Sequence, residues 1–264
     1  AVQLFEKLLA DAQVNKEAYT NMTSDILKAR SDAKLNQGQN FSRLMSFAMY
    51  GPKSPATNLL TEAELTNMNP QELVDRIHNQ NSYKHRILYY GPSSSKDLLA
   101  TINQYHQVPA ALKDIPAGNE YAYLETPVTK VLVAPYDAKQ IYMAQISNLD
   151  KKYDPAIEPI RALYDEYFGG GMNSIVFQEM RETRGLAYSA WASIMPPSYL
   201  KYPYVLRTQI ATQNDKMIDA VTTFNDIINN MPESEAAFKL AKDGLTNRLR
   251  TERIIKGDII WSYI

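Results

Sequence analysis

The chain has 264 residues, of which 45% are hydrophobic and 22% charged, values typical of globular proteins that bury a substantial core. Its 28 basic and 29 acidic residues leave a net charge of -1, which argues against a general nucleic-acid surface or an acidic-lipid surface. The absence of cysteine excludes disulfides, thiolate metal sites and a cysteine nucleophile, and no stretch approaches the roughly 18–20 apolar residues of a membrane span.

The residues up to 82 show the apolar spacing of amphipathic helices. The segments AVQLFEKLLADA and NKEAYTNMTSDILKARSDAKL carry this pattern, and NFSRLMSFAMYG ends at Gly51, a suitable helix C-cap. A further helix start is predicted in MNPQELVDRIHNQ. There Asn69 can cap the helix, Pro70 suits its first position, and Glu72 follows three residues after the cap.

The pattern changes at His85. The run HRILYYG (85–91) is rich in β-forming residues and predicts a strand, whereas SSSKDLLATINQYH predicts a helix that Pro109 ends. After a loop rich in Pro and Gly, TKVLVAPY (129–136) and QIYMAQISN predict two strands separated by Asp137.

Two helices are then predicted around Gly169–Gly171. DPAIEPIRALYDEYF stops there, and NSIVFQEMRETR stops at Gly185. LAYSAWASI and YPYVLRTQIATQ predict two more strands, and two helices follow. We therefore predict an α+β fold, with a short-stranded antiparallel sheet and helices packed on one face. The chain begins within a predicted helix and ends on an apolar run, so we expect a piece of a larger protein.

Three consecutive glycines, Gly169, Gly170 and Gly171, raise the question of phosphate binding. A Walker loop needs a Lys after its last Gly, and here Met-Asn-Ser follows; a dinucleotide fingerprint follows a strand, and this run follows a predicted helix. We therefore expect a helix corner. One glycine would supply a left-handed C-cap, the others would allow a close approach, and Asn173 or Ser174 would cap the next helix.

The three histidines, His78, His85 and His106, do not form a metal motif in the sequence. Neither H-E-x-x-H nor H-x-x-E-H occurs, and no Ser/His/Asp arrangement is readable from the spacing. Each histidine is expected at the surface or at a helix cap, and no complete zinc site is expected within the chain.

The stretch QEMRETRGLAYSAW allows two interpretations. Arg181 on the last helical turn and Tyr188 early in the following strand could project near each other across a turn at Gly185, as donors to a carbonyl or a developing oxyanion. Alternatively, Arg181 and Arg184 solvate a helix C-terminus, where positive charge is favourable, while Tyr188 packs.

The segment YFGGGMNSIVFQEMRETRGLAYSAWASI resembles the signature of the second-type domain of the pitrilysin/insulysin zinc metallopeptidases, the inverted zincins. Val176 and Met180 are mild departures from that signature, and the resemblance extends from about residue 60 to the end of the chain. The matching residues are Ser174, Phe177, Glu179, Arg181, Glu182, Arg184, Gly185, Leu186, Ala187, Tyr188 and Ser189.

The resemblance implies a protein of two halves that close around an unfolded peptide. One half of such a protein carries zinc on H-x-x-E-H and a distal Glu, and the opposite half contributes an Arg and a Tyr, which correspond here to Arg181 and Tyr188. Because H-x-x-E-H is absent, the resemblance implies a truncated non-catalytic half. Residues 1–82 would form the helical end of a first pitrilysin-like domain, and residues 83–264 a second domain truncated at its C-terminus.

The resemblance also implies partners and a cofactor outside this chain. The isolated chain is expected to be inactive and to hold no cofactor, with zinc on the missing catalytic half. The expected partners are that half, in the same protein or a homologous subunit, and a peptide or unfolded polypeptide. The alternatives are a structural or assembly module of the same fold without proteolysis, and a small-ligand protein using the Gly corner. Periplasm, cell envelope and cytoplasm are all compatible with the sequence.

Overall fold

The computed structural model describes residues 1–261 and divides the chain into two compact units. The first unit contains Ala1–Asp32, Leu59–Glu120 and the described residues from Arg253 onward; the second contains Ala33–Asn58 and Tyr121–Glu252. Residues on both sides of position 82 lie in the first unit. The predicted boundary between residues 82 and 83 separates two domains of the family, and it stays a prediction. The last three residues of the predicted second domain, 262–264, lie outside the part of the chain that the structure describes.

Helices occupy much of the described chain. A π-helical turn, Gln178–Thr183, directly follows the short helix α8, and 3-10 turns cover Pro55–Thr57, Gln80–Ser82 and Asn214–Lys216. The α-helices are α1 (Val2–Ala10), α2 (Lys16–Lys34), α3 (Gln37–Tyr50), α4 (Glu62–Asn67), α5 (Pro70–His78), α6 (Ser95–Tyr105), α7 (Glu158–Phe168), α8 (Ile175–Phe177), α9 (Met217–Asn229), α10 (Glu235–Thr251) and α11 (Lys256–Ile259).

Local side-chain chemistry determines several of these helix ends. The Asn69 side chain accepts a hydrogen bond from the Gln71 amide at the start of α5, with Pro70 in the first helical position. Gly51 ends α3 with a φ of 75°, a conformation that residues with a Cβ rarely adopt. The predicted caps at Asn69 and Gly51 are therefore confirmed.

The sheet of the second unit has three antiparallel strands, β1 (Gln140–Lys152), β2 (Ser189–Met195) and β3 (Pro203–Gln213), in the order β1-β3-β2. Ile210 of β3 lies opposite both Met143 of β1 and Ala190 of β2. The predicted α+β class with an antiparallel sheet is confirmed.

Two predicted strands are wrong. Residues 85–91 and 129–136 do not join a ladder within the described part of the chain, although an isolated bridge joins Tyr83 to Lys113. Val131 and Val133 are 83% and 76% exposed. A β-rich composition makes a strand only where a neighbouring backbone supplies hydrogen-bond partners, and the described residues supply none for these two segments.

The core of the second unit lies between the sheet and one layer of helices. Helix α7 packs against β2 and α10, and α9 packs against β3. The most deeply buried side chains of this cluster are at most 1% exposed, and they come from both layers: Phe168, Val176, Met180, Ala192, Ile210, Ala220 and Phe224.

A polar network ties α7 to the edge strand β2. The Arg161 guanidinium donates to Asp165 at 2.8 Å and to the Ile194 carbonyl at 3.1 Å. Asp165 in turn accepts from the Ile194 amide and the Ser193 hydroxyl, both at 2.9 Å. Burial raises the pKa of the Asp165 carboxyl, and these hydrogen bonds act in the opposite direction. The network therefore compensates for placing a carboxylate at the helix–sheet boundary.

The three glycines after α7 allow the predicted close approach but do not supply the predicted left-handed cap. None of them has a positive φ, so the expected left-handed cap in this run is wrong. A Cβ on Gly169 would lie 2.2 Å from the Ala192 carbonyl oxygen, and one on Gly170 would lie 2.7 Å from that of Asp165. The run therefore lets the end of α7 contact the β2 backbone, and Ser174, whose hydroxyl accepts from the Phe177 amide at 3.4 Å, starts α8.

The close approach at Gly169 predicts a position-specific stability effect. Gly169→Ala should lower the free energy of unfolding by about 1–3 kcal/mol, because the added methyl must displace backbone. Gly171→Ala is the control: its Cβ would meet Glu166 at 3.7 Å, an ordinary contact, and the change should stay within about 0.5 kcal/mol. Urea titration of both variants measures this, and equal effects would contradict the assignment.

A buried tyrosine predicts a pH-dependent contribution to stability. The Tyr204 hydroxyl donates to Glu158 at 2.7 Å, and this hydrogen bond is the main cause that lowers the pKa of that carboxyl. Tyr204→Phe should therefore lower the free energy of unfolding at neutral pH by about 1.5–3 kcal/mol. Because a lowered pKa stabilises only the ionised form, the deficit should shrink as pH falls below the ordinary glutamate pKa of about 4.3.

Tyr153 offers a matched control for this measurement, since its ring stacks on that of Tyr204 at 6.0 Å. Denaturant titrations of Tyr204→Phe and Tyr153→Phe at neutral and acid pH compare the two hydroxyls. A deficit of Tyr204→Phe that does not change with pH would show that Glu158 is not its stabilising partner.

Candidate functional site

The residues after α8 form a corner that leads into the sheet. The Met180 carbonyl accepts hydrogen bonds from the amides of Leu186 and Ala187, at 2.8 and 3.2 Å. Gly185, directly before Leu186, has a φ of 58°. The Tyr188 amide then donates to the Ala211 carbonyl of β3 at 2.8 Å. The backbone that carries Tyr188 is therefore held on both sides of the corner.

The helix changes type where it carries the charged residues. The π-helical turn contains Met180, which is fully buried, and the neighbouring Arg181, whose side chain is 46% exposed. The wider π-helical turns are rare in proteins, and many of those that occur lie at functional sites. Here the wider turn anchors Met180 in the core and leaves the Arg181 side chain at the surface.

Arg181 and Tyr188 lie next to each other. The Arg181 guanidinium carbon is 5.8 Å from the centre of the Tyr188 ring and 5.0 Å from that of Phe177, both within cation–π range. Tyr188 is 73% exposed. A guanidinium and a phenol at one exposed corner can donate several hydrogen bonds to the same acceptor.

The two arginines of this corner differ in their partners. Arg184 donates to the Glu179 carboxylate at 3.2 Å. The nearest carboxylate oxygen to Arg181, that of Glu182, is 3.7 Å away, beyond hydrogen-bond distance. Arg181 is therefore better placed than Arg184 to bind an incoming acceptor.

The first unit contains a cluster that the sequence did not indicate. The Nε2 atoms of His85 and His106 lie 2.8 Å apart, and His106 Nδ1 lies 2.8 Å from Glu6. His85 is exposed and His106 is the C-cap of α6, as expected of surface or cap histidines, and His78 lies in the last turn of α5; the contact between His85 and His106 was not predicted. Because His85 and His106 are 21 residues apart and Glu6 lies 100 residues before His106, only tertiary contacts bring them together.

Neither a conventional metal cluster nor a membrane helix is present within residues 1–261. No group of three or more His, Asp and Glu side chains in that range is arranged to hold a metal ion. None of the helices there has both the length and the apolar character that crossing a bilayer requires.

The fold is shared with solved structures. A peptidase M16 inactive domain from Pseudomonas fluorescens has a TM-score of 0.69 and 17% identity, over 99% of this chain and 62% of that one. The periplasmic protease PqqL from Escherichia coli has a TM-score of 0.68 and 15% identity, over 94% of this chain and 28% of that one. A chain of complex III2 from Candida albicans has a TM-score of 0.58 and 10% identity, over 99% and 63%. This chain therefore spans less than two thirds of each.

The sequence itself matches a family. No curated protein matches the chain, but residues 87–245 match the family described as the peptidase M16 inactive domain. The matched segment contains the glycine run, Arg181 and Tyr188, and it confirms the predicted resemblance to the non-catalytic half of pitrilysin-type peptidases. The chain belongs to the peptidase M16 inactive-domain family and is a non-catalytic, peptidase-like module.

Proposed function

We propose that this chain is the non-catalytic part of a zinc metallopeptidase, in which it binds peptide substrate and presents hydrogen-bond donors to a zinc site on another half. The observation that carries the proposal is the pairing of Arg181 with the exposed Tyr188 at one corner. Peptide or unfolded polypeptide is the substrate class, and the partner is the zinc-bearing half of the same protein or a homologous subunit.

The described residues of this chain do not fit the catalytic zinc, since they form no cluster of the three protein ligands that such a site needs. Zinc bound to the other half would polarise the scissile carbonyl and activate a water. This chain contributes donors instead. As the tetrahedral intermediate develops negative charge, the Arg181 guanidinium and the Tyr188 hydroxyl donate hydrogen bonds to the developing oxyanion or to the neighbouring peptide backbone.

The geometry of the corner supports this assignment for a physical reason. Donors stabilise a transition state best when little reorganisation is needed at the moment of reaction. The Arg181 side chain lies against two aromatic rings, and the backbone of Tyr188 is hydrogen-bonded to β3. These contacts limit the movement of both donors before substrate binds, which supports the proposed role.

A structural or assembly role of the same fold is the second candidate. It is favoured by the similarity to a chain of complex III2, an assembly. In that role Arg181 and Tyr188 would have no effect on turnover, and the module would act by its contacts with other subunits. Measuring turnover and assembly in the same variants separates the two candidates.

The proposed donors predict a loss of turnover without loss of metal. In the protein that carries this chain together with its zinc-bearing half, Arg181→Ala and Tyr188→Phe should each lower kcat by about 10–1000-fold, a range that includes the roughly 100–1000-fold effect of removing one oxyanion donor. Zinc content, measured by elemental analysis, should not change.

Two neighbouring residues provide matched controls. Arg184→Ala removes a charge from the same corner, and Tyr199→Phe removes a hydroxyl from another exposed tyrosine; both should keep near-normal kcat. Unchanged turnover in Arg181→Ala and Tyr188→Phe, with assembly intact, would favour the structural role. An equal loss in Arg184→Ala would show a general charge effect.

The division of labour between halves predicts the behaviour of the chain alone. Purified as residues 1–264, it should bind an unfolded peptide but should not cleave it, because the water-activating metal site lies elsewhere. Incubation with a fluorogenic peptide, followed by mass spectrometry of the products, measures this. Cleavage that a chelator abolishes and that co-purifies with the chain would contradict the prediction.

A further inference from the structure

The paired histidines of the first unit are anchored like metal ligands. His106 follows the last residue of α6, and its Nδ1 lies 2.8 Å from a carboxylate oxygen of Glu6 on α1. The other Glu6 oxygen accepts from the Asn81 side chain at 2.8 Å. The side chains of His106 and Glu6 are only 11% and 15% exposed. A carboxylate therefore fixes the orientation of the His106 ring from behind.

His85 is anchored in a second way that is also typical of metal-binding histidines. Its Nδ1 lies 2.6 Å from the Tyr83 carbonyl oxygen. The backbone around Tyr83 is held by hydrogen bonds between Lys113 and the residues on either side of Tyr83, Ser82 and Lys84, both at 2.8 Å. Histidines that bind metals almost always donate their second ring N–H to a carboxylate, a backbone carbonyl or water.

The Nδ1 atoms of both rings face oxygen atoms, and the two Nε2 atoms face each other. The Nε2 atoms lie 2.8 Å apart, with the rings nearly perpendicular at 88°. Two imidazole nitrogens that converge on one place are a donor set that suits a late first-row divalent cation.

We propose that His85 and His106 form a two-histidine site for a late first-row divalent cation, of which zinc is the probe of choice. Binding replaces the hydrogen bond between the rings, and the metal joins the Nε2 atoms of two neutral imidazoles. This site lies in the first unit and uses neither Arg181 nor Tyr188, so it goes beyond the proposed function and is independent of it.

The geometry needs only a small adjustment. Two nitrogens bound to tetrahedral zinc at 2.0–2.1 Å lie about 3.3 Å apart, so the pair must open by roughly 0.5 Å. His85 can provide this movement because it is exposed and lies in an extended segment outside any helix or ladder. His106, more deeply buried and bound to Glu6, acts as the fixed ligand.

The residues around the histidine pair determine its affinity for a metal ion. The pair lies beside a cavity of about 400 Å³ that is lined partly by Phe5, Leu98 and Ile102. Glu6 supplies a negative charge, whereas Arg86, which lines the same cavity, supplies a positive one. With two protein ligands and compensating charges we expect micromolar rather than nanomolar affinity, the remaining coordination positions being filled by water or by a small ligand in the cavity.

Zinc titration of the whole chain tests the proposal. Isothermal titration calorimetry with zinc chloride should show one equivalent bound. In NMR spectra the Nε2 resonances of His85 and His106 should shift and those of His78 should not. Copper(II) should compete more strongly than zinc, following the Irving–Williams order, and magnesium should not compete.

Variants connect this binding to the named residues. His85→Ala and His106→Ala should each weaken zinc binding at least tenfold, and Glu6→Gln should weaken it by about 10–100-fold through the loss of the charge behind His106. His78→Ala is the control and should bind zinc normally. Since His85 is exposed, its variant keeps the test valid if His106→Ala fails to fold by circular dichroism. Absence of zinc binding by the unmodified chain, equal binding by His85→Ala, or displacement by magnesium would overturn the proposal.

Discussion

The second unit depends on the close backbone contact between the end of α7 and strand β2. The Ala192 amide faces the Gly169 carbonyl at 3.4 Å, and a side chain at position 169 would collide with the Ala192 backbone. This contact lets Phe168 enter the core at the end of α7 and lets α8 begin only a few residues later. The corner that carries Arg181 and Tyr188 follows directly after this short helix.

The corner itself shows how packing sorts similar residues into different roles. Arg181 and Arg184 are both half-exposed and three positions apart, yet Arg184 is hydrogen-bonded to Glu179 while Arg181 lies against aromatic rings. The difference arises because the π-helical turn anchors Met180 in the core and directs its neighbour outward. The structure thereby gives the two arginines different partners.

The two proposed sites of the chain use opposite chemistry. The corner offers hydrogen-bond donors, which suits the stabilisation of an anion, whereas the histidine pair offers nitrogen acceptors, which suits a cation. They lie in different compact units. Membership of an inactive-domain family is compatible with both proposed sites. A chain without a catalytic zinc motif can still carry the two donors and a separate pair of imidazoles.

The sequence by itself determined what depends on neighbours along the chain. The caps at Gly51 and Asn69, the helix start at Ser174 and the α+β class follow from local hydrogen bonds and from the periodicity of apolar residues. The seven-residue spacing of Arg181 and Tyr188 likewise spans a single corner, so their proximity could be anticipated as one of two interpretations.

Only the tertiary structure decided what depends on distant partners. Whether the runs 85–91 and 129–136 become strands depends on a neighbouring backbone, and the described residues provide none. The need for glycine at position 169 comes from Ala192, and the contact between Glu6 and His106 depends on how α1 and α6 pack. Local propensity cannot reveal such contacts, because the interacting groups are brought together only when distant segments pack.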